Sequence, residues 1–368
     1  MEFKIKIFEK LDKDLEKIWS ELENNSDLYV FQSYKWFENW HHTYLEKNKN
    51  YSLRVVVVEH NTKVISILPL QIQNKVKLNI LKWAGDEELD YCCPILDKNF
   101  EFNKENFKII LNETLSKLEK VDILKLVKQP KIINNRSNPF VLYLKNYFDS
   151  KSYSISLPNR WKTYEENVLK KEFRSQNKRK KNSLRKIGKL KYKIFKDKNE
   201  INKVINDLFE QKNKRLSIKK AETLFEKKDF DFYNRIIRNE EKIFQIHLSS
   251  LELDKKILAM HLGAIHNKRF YYLILSMGSD LEKYSPGRLL ISLLIKWSIS
   301  KKLKFFDFTL GDELYKKSWS NSSSEYYNCI ESKTFYGLIF IYFFKLKYLL
   351  KHYDKNRKFI NILKKIKI

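Results

Sequence analysis

The sequence predicts an α+β protein made of two similar modules, each a mixed, mostly antiparallel sheet flanked by helices. Strands with alternating or β-branched apolar residues are interspersed with amphipathic helical stretches along the chain. Both halves show the same order of elements: two helices, a meander of strands, a helix and a strand. With 368 residues, of which 43% are hydrophobic, the chain is long enough for two packed cores. We expect modules over residues 1–157 and 158–334 and a basic amphipathic helical tail over 335–368.

The first module opens with a strand and two helices, the second of which is rich in aromatic residues. A hairpin follows, in which two apolar strands flank a turn at 60–63. Pro69 lies in the returning strand, which predicts an edge position or a bulge because proline has no N–H group for pairing. The predicted strands are 3–8, 53–59, 64–73, 77–84, 92–96, 121–127 and 153–156, and the predicted helices are 10–23, 34–45 and 103–118.

The second module opens with a strongly basic helical segment. Residues 170–193 hold twelve Lys or Arg residues and a single acid, Glu172. A meander of three strands then turns at 254–255 and at 266–269. The predicted strands are 192–195, 244–253, 256–265, 270–277, 304–308 and 325–331, and the predicted helices are 159–190, 199–214, 229–239 and 287–301.

The formal net charge of +28 favours anionic partners without identifying one. Only 12 of the 73 basic residues are arginine, the residue favoured for bidentate recognition of phosphates and bases. Abundant Lys, Asn and Ile are also typical of an AT-rich genome. A basic surface attracts nucleotide cofactors, tRNA and acidic lipid headgroups alike. The basic helix over 170–193 is therefore either a solvated face or a surface that recruits tRNA phosphates or an acidic membrane.

The cysteines and histidines favour neither disulfides nor a metal site. Cys92, Cys93 and Cys329 lack the spacing of a zinc site, and the seven histidines show no metal-binding pattern. These features fit a reducing cytoplasm, and the N-terminal residues resemble a strand more than a signal peptide. The longest apolar run, 335–344, is about half the roughly 18–20 residues that span a bilayer. This tail could dock on its own sheet or lie in a membrane interface.

The stretch over 284–319 has the clearest chemical implication. Three of the seven glycines, Gly278, Gly287 and Gly311, fall in or beside it. Glycine is costly to order, so this clustering suggests backbone that approaches a ligand or adopts positive φ. The pattern reads as a tight turn that opens a helix, then a buried strand that ends in a polar loop.

Two parts of this stretch suggest separate roles. Ser285 and Gly287 open the helix, whose free N–H groups and dipole favour a phosphate, and Arg288 would add a charged contact. The same residues would also make an ordinary helix start. Asp307 lies in an apolar strand, where a carboxylate must be paired or have a raised pKa. It could act as a general base or anchor the following loop through backbone hydrogen bonds.

The complete pattern resembles a known family. A meander, then Ser-Pro-Gly with a helix, then Phe-Asp-Phe-x-x-Gly-Asp-Glu-x-Tyr-Lys-x-x-Trp is similar to the GNAT-fold acyltransferases of the CelD type, which are associated with cellulose and other exopolysaccharide loci. It resembles more distantly the FemABX aminoacyl transferases, which share a tandem GNAT fold. The resemblance extends over most of the chain, with weaker markers at 31–33, 68–70 and 85–91. Of the usual cofactor-loop glycines, only Gly287 is present.

The resemblance implies tandem GNAT-like modules and acyl transfer from an acyl-CoA-type donor, acetyl-CoA above all, without a metal. The acceptor would be an amine or hydroxyl of a sugar or cell-envelope precursor. Lys316 would stabilise developing negative charge, and Tyr315 could protonate a leaving thiolate. With Asp307, these residues form the predicted catalytic group.

The resemblance also implies where the acceptor binds. Asp90 and Tyr91 end an acidic loop of the first module, where the resemblance places the acceptor. Asp312 and Glu313 could contact the acceptor or be solvated loop acids.

Two other functions stay open at this point. The basic helix is compatible with an aminoacyl-tRNA-dependent transferase. A non-catalytic protein that binds tRNA or an anionic membrane is the second alternative. For each of the three, we expect a cytoplasmic location, peripheral to the inner face of the membrane if the tail binds lipid.

Overall fold

Strands and helices alternate along the chain in the predicted order. The computed structural model describes residues 2–46, 48–75, 78–133, 135–218, 224–239, 243–278 and 281–353. The last part of the predicted basic tail, 354–368, lies outside the described residues. None of the described helices is both long and apolar enough to cross a membrane.

The first 156 residues contain nine strands and four helices in the described ranges. The aromatic helix α2 continues into a π-helical turn at His41–Leu45. The elements are β1 Lys4–Phe8, α1 Lys13–Asn24, α2 Tyr34–Trp40, β2 Tyr51–His60, β3 Lys63–Lys75, β4 Leu78–Trp83, β5 Ile95–Leu96, α3 Lys104–Lys117, β6 Ile123–Pro130, β7 Ile132–Ile133, β8 Arg136–Ser137, α4 Pro139–Tyr143 and β9 Tyr147–Ser156.

The remaining described residues hold six strands and seven helices. The predicted basic helix is interrupted before residue 171, so two helices stand where one was expected. The elements are α5 Trp161–Asn167, α6 Lys171–Ile187, β10 Leu190–Phe195, α7 Lys198–Ile218, α8 Lys227–Arg238, β11 Gln245–Leu253, β12 Lys256–His266, β13 Arg269–Met277, α9 Pro286–Ser300, β14 Phe305–Leu310, α10 Leu314–Trp319, β15 Ser322–Ser332 and α11 Phe335–Tyr353.

These elements form two compact units. The first contains the described residues of Met1–Tyr34, Leu45–Asp149 and Tyr326–Ile368, and the second contains those of Lys35–Tyr44 and Ser150–Glu325. The units differ from the continuous ranges expected from the sequence. Residues 35–44 belong to the second unit, and the chain from residue 326 onward belongs to the first. Strand β15 pairs antiparallel with β6 of the first unit. The α2 segment joins the second unit, where Trp36 packs edge-on against Phe232 and Phe244.

Both units follow one plan, as the sequence predicts. In the first, the antiparallel meander β2–β3–β4 is followed by α3 and by β6, which pairs parallel with β4. In the second, the meander β11–β12–β13 is followed by α9 and by β14, which pairs parallel with β13. Each sheet is thus mixed and mostly antiparallel, with helices packed against it.

Strand β3 corrects one detail of the prediction. It lies between β2 on one side and β4 and β5 on the other, so Pro69 does not mark an edge strand. Pro69 falls between Ile67, the last residue paired with β5, and Leu70, the first paired with β4. This break in the partner strands accommodates a residue that has no N–H group.

The second unit has a core on each face of its meander. Helix α9 packs on one face through Leu290 and Leu294, which belong to the same buried cluster as Phe306 and Phe308 of β14. Helices α7 and α8 cover the other face, where Leu262 is a central residue. The apolar residues of α9 therefore hold its first turn in a fixed place on the end of β13.

Candidate functional site

The first turn of α9 lies among positively charged side chains. Ser285 adopts a left-handed conformation with φ of 53°, and its side chain forms no capping hydrogen bond to the helix. Instead its Oγ accepts a hydrogen bond from Nζ of Lys180, which projects from α6. The first N–H groups of a helix have no acceptor within the helix. The start of α9 therefore combines the positive end of a helix dipole with the ammonium group of Lys180.

Arg288 adds a second cation to the start of α9. Its guanidinium lies 3.6 Å from the ring centroid of Phe173, and its Nη atoms donate to Gln176 Oε1 and to the Phe173 carbonyl oxygen, each at 3.2 Å. Burial lowers the pKa of Lys180, and the charges of Arg288 and Arg179 lower it further. Among the described residues, neither Lys180 nor Arg288 forms an ion pair with a carboxylate. An anion bound at the start of α9 would relieve the repulsion between Lys180 and these arginines.

Gly287 is explained by packing inside the protein. A β-carbon at this position would collide with Sδ of Met277 and lie 3.0 Å from Cδ2 of Leu275. The glycine thus allows the start of α9 to approach β13 closely. The sequence suggested close approach of a ligand instead, and the contacts show that the neighbour at the α-carbon is a strand.

Strands β13 and β14 separate beside this helix start. Their parallel pairing covers only Arg269–Tyr271 of β13 and Phe305–Asp307 of β14. The β12–β13 register shifts there, since Gly263 faces Tyr272 and Leu262 faces Ile274, which leaves Leu273 as a bulged residue. Beyond Tyr271, the backbone of β13 is therefore not paired with β14.

Tyr272 is the first residue of β13 beyond this pairing. Its side chain is buried, and the hydroxyl has no hydrogen-bond partner in the described part of the chain. Burial raises the pKa of Tyr272 above its ordinary value, and the neighbouring Tyr315 and Glu313 add to the effect. A buried hydroxyl without a partner costs free energy, so a ligand atom is a natural partner here.

Asp307 makes structural contacts with Arg269 and Thr309. Its Oδ2 lies 3.0 Å from Nη1 of Arg269, and its Oδ1 accepts a hydrogen bond from the Thr309 backbone N–H at 2.9 Å. Thr309 has φ of 57°, and the pairing of β14 with β9 shifts between Asp307 and Leu310. The carboxylate therefore supports the irregular end of β14, which matches the anchoring role considered from the sequence.

Lys316 closes the loop that follows β14. Its Nζ donates to the Leu310 carbonyl oxygen at 2.7 Å and lies 3.0 Å from Oε2 of Glu313, and the residue is 4% exposed. Gly311 has φ of 128°, and a β-carbon there would collide with the Glu313 carboxylate and lie 2.7 Å from the Lys316 ammonium. This loop therefore depends on glycine, both for its conformation and for space.

The two other predicted residues of this loop lie near its surface. Tyr315 lies in the first turn of α10 and is 41% exposed, and its ring contacts Phe308 edge-on. Partial burial raises the pKa of its hydroxyl, and Glu313 raises it further. Asp312 is exposed and accepts a hydrogen bond from the Tyr153 hydroxyl at 2.7 Å. Tyr315 thus keeps its proton at neutral pH.

Asp90 and Tyr91 belong to the first unit. Tyr91 is completely buried, where its ring stacks on Tyr326 and meets Tyr29 and Phe31 edge-on. Its carbonyl oxygen accepts a hydrogen bond from Gln32 Nε2 at 2.6 Å. Tyr91 therefore has the environment of a core residue. Asp90 is partly exposed.

The second unit thus brings together most of the predicted site. Ser285, Gly287 and Arg288 lie at the end of β13, and the residues from Asp307 to Lys316 lie at the end of the neighbouring β14. Sequence reasoning missed Lys180 and Tyr272. Lys180 is one of twelve similar cations, and Tyr272 is one of many aromatic strand residues, so only contacts distinguish them. No cluster of described His, Cys, Asp and Glu side chains has the arrangement of a metal site.

Comparison with known proteins finds a family match within this unit. Residues 171–317 match the family model described as an acetyltransferase (GNAT) domain. No curated protein sequence matches the chain. The matched residues include the helix start and the loop described above.

Solved structures agree on the fold of the whole chain. A crystal structure of FemX shares 14% identity, with a TM-score of 0.60 over 92% of this chain and 100% of that one. A Bacteroides thetaiotaomicron protein of unknown function shares 12%, with a TM-score of 0.55 over 89% and 100%. The Bacillus licheniformis L-PGS structure shares 8%, with a TM-score of 0.53 over 90% and 95%. These structures confirm the predicted fold class, and the family match confirms the predicted enzyme class, whereas the CelD-type assignment stays a prediction.

Proposed function

The chain carries a GNAT-type acyltransferase domain, and from this premise we propose that it moves an acyl group from an acyl-CoA-type thioester to an amine or hydroxyl. The donor phosphates would lie at Ser285–Arg288, and the thioester would lie where β13 and β14 separate. The observation that carries this proposal is the parallel pair itself, which ends after three positions beside an open helix start.

The dimensions of the cleft suit an extended donor. The start of α9 touches Leu275 and Met277, whereas the polar loop is near Tyr272. The five residue steps from Tyr272 to Met277 span about 16 Å of strand. An extended chain with amide groups, such as the pantetheine arm of coenzyme A, could pair with the backbone of β13 over this length.

The equivalent helix of the first unit, α3, does not begin with uncapped N–H groups. Helix α3 begins with a capping box, in which the Asn103 side chain accepts from the Asn106 N–H and the Asn106 side chain accepts from the Asn103 N–H. Its first N–H groups are thus partly used by side chains, and Glu105 places a negative charge in the first turn. An anionic donor is therefore expected in the second unit alone.

We assign the chemical step as follows. The acceptor nitrogen or oxygen attacks the thioester carbonyl carbon, a base or water takes its proton, and the carbon–sulfur bond breaks. Tyr315 donates its proton to the departing thiolate and regains one from the base that took the acceptor's proton. Burial raises the pKa of the Tyr315 hydroxyl, so the group is protonated before the step. Backbone N–H groups at the Leu273 bulge would stabilise the oxyanion.

Lys316 and Asp307 then act mainly through position. Lys316 holds the loop that carries Tyr315 and places a positive charge near the reacting group. Asp307 fixes the end of β14 through Arg269 and Thr309. Asp312 and Glu313 would face the acceptor from the same loop. Asp90 of the first unit stays a predicted acceptor residue, whereas the complete burial of Tyr91 argues against direct contact with an acceptor. A sugar or envelope precursor as the acceptor rests on the CelD-type resemblance alone.

Calorimetry with coenzyme A and pantetheine tests the donor site. We expect coenzyme A to bind the wild type, and Lys180→Gln to weaken its binding by about tenfold. Pantetheine lacks the phosphates, so its weaker binding should not change in this variant. Lys186→Gln, an exposed position on the same helix, is the matched control.

The result also separates the alternatives. Absence of coenzyme A binding by the wild type would overturn the proposal. Salt-sensitive binding of aminoacylated tRNA in that case would favour the aminoacyl-tRNA-dependent transferase, and tRNA binding that does not depend on aminoacylation would favour a non-catalytic binding protein.

We also propose that α11 attaches the protein to an anionic membrane surface. Its apolar residues Phe335, Ile339, Tyr342 and Leu346 recur at helical spacing, and each is more than half exposed. The first turn is fixed to its own unit because Thr334 donates to Asp122 at 2.6 Å. The exposed stripe would then be free to enter a lipid interface.

Liposome flotation tests this attachment. Wild-type protein should float with anionic vesicles, and the pair Phe335→Ser and Ile339→Ser should reduce the recovered fraction several-fold. Leu142→Ser, an exposed apolar residue elsewhere in the first unit, serves as the control. Equal recovery of all three proteins would remove the membrane proposal.

A further inference from the structure

A cavity of about 500 Å³ lies between α6 and α9, and none of residues 285–288 lines it. Its apolar floor consists of five side chains, namely Trp161, Leu169, Leu190, Leu289 and Leu293. Small-molecule sites usually have volumes of about 300–1,000 Å³ and mostly apolar walls. The cavity is therefore large enough for a ligand, and it is separate from the proposed phosphate site at residues 285–288.

Cations surround this apolar floor. Lys171, Arg174, Lys178 and Lys181 of α6 and Lys296 of α9 line the cavity, and Glu165 is its single carboxylate. Within the described part of the chain, none of the five cations forms an ion pair, and Glu165 offsets their positive charge only in part. On a solvated helix face the charged side chains extend separately into water, whereas these five cations line one cavity.

The electrostatics of Lys181 show the cost of this arrangement. Burial lowers its pKa, and the charges of Arg185 and Lys296 lower it further. A bound anion would remove that repulsion. Arg174 is partly buried and can offer two parallel N–H groups to one phosphate.

We propose that this cavity binds a phosphate-headed amphiphile. The phosphate dianion would meet Arg174, Lys181 and Lys296, and an alkyl or aromatic body would cover Trp161 and Leu293. Phosphate suits five cations better than a carboxylate because its charge near neutral pH is close to −2. The apolar floor distinguishes the ligand from free inorganic phosphate.

Calorimetry with dodecyl phosphate below its micellar concentration tests the site on the full chain. We expect it to bind at least tenfold more tightly than inorganic phosphate, which lacks the body, or dodecyl maltoside, which lacks the charge. The Lys181→Gln, Lys296→Gln double variant should lose at least tenfold in affinity. Lys301→Gln, an exposed lysine just after the same helix, should bind like the wild type.

Two further variants locate the binding. Ser292→Trp should fill the cavity and abolish dodecyl phosphate binding without changing the thermal midpoint by more than a few degrees. Lys180→Gln should leave this affinity unchanged, which separates the cavity from the proposed donor site. Equal affinity for all three probes, or no effect of the double variant and of Ser292→Trp, would overturn the proposal.

Discussion

The pairing of Asp307 with Arg269 predicts that Asp307 matters for stability more than for chemistry. Removing one member of a buried ion pair costs about 3–5 kcal/mol because the other charge is left without a partner. Asp307 is nearly buried and Arg269 is 15% exposed, so we expect Arg269→Met to lower the free energy of unfolding by about 3 kcal/mol.

The reciprocal variant, Asp307→Asn, should lose less of the free energy of unfolding. In Asp307→Asn, an amide oxygen can still accept the Thr309 N–H, and Arg269 can reach water, so the expected loss is about 1–3 kcal/mol. The double variant should lose less than the two single losses together, with a coupling of at least about 1 kcal/mol.

Urea unfolding and turnover of the same four proteins provide the assay. Turnover should be measured at 10 °C, where each variant is still folded, and we expect Asp307→Asn to retain at least a third of the wild-type rate. Asp231→Asn removes an exposed carboxylate from the same unit and serves as the control. Unchanged stability with turnover reduced a hundredfold would refute this reasoning and assign Asp307 to the chemistry.

Three other changes have definite expected results. Gly311→Ala should cost about 1–3 kcal/mol in urea unfolding and raise KM, because φ of 128° strains alanine and the new carbon displaces Lys316. Gly287→Ala should cost about 1–3 kcal/mol, and Met277→Ala should partly rescue it by making room, as thermal midpoints would show. Burial lowers the pKa of His247 from 6.5 to about 4, so the unfolded chain binds the extra proton and stability falls as pH decreases through this range. His247→Gln should reduce that slope by about 1.4 kcal/mol per pH unit in urea titrations.

The first two results would be contradicted by unfolding curves that coincide with the wild type. The histidine prediction would be wrong if His247→Gln left the pH dependence of stability between pH 6.5 and 4 unchanged.

Local chemistry along the chain determined the elements and their order. Apolar alternation predicts the meanders because side chains alternate across a strand, and Ser285 followed by proline predicts the start of α9 because proline fits the first helical turn. The two-module plan follows from repetition of this order. Trp36 and Trp40 are four residues apart, which places them on one face of a helix, and both are buried.

Long-range contacts decided the rest. Only folding brings β15 back to β6 and α2 to the second unit, since sheet pairing and aromatic packing join residues far apart in sequence. The sequence offers twelve cations in one basic segment, and the position of α6 against α9 selects Lys180 for the helix start and Lys181 for the cavity. Periodicity places a side chain on one face of its own element, whereas a site needs side chains from several elements, and their meeting depends on the packing of the whole unit.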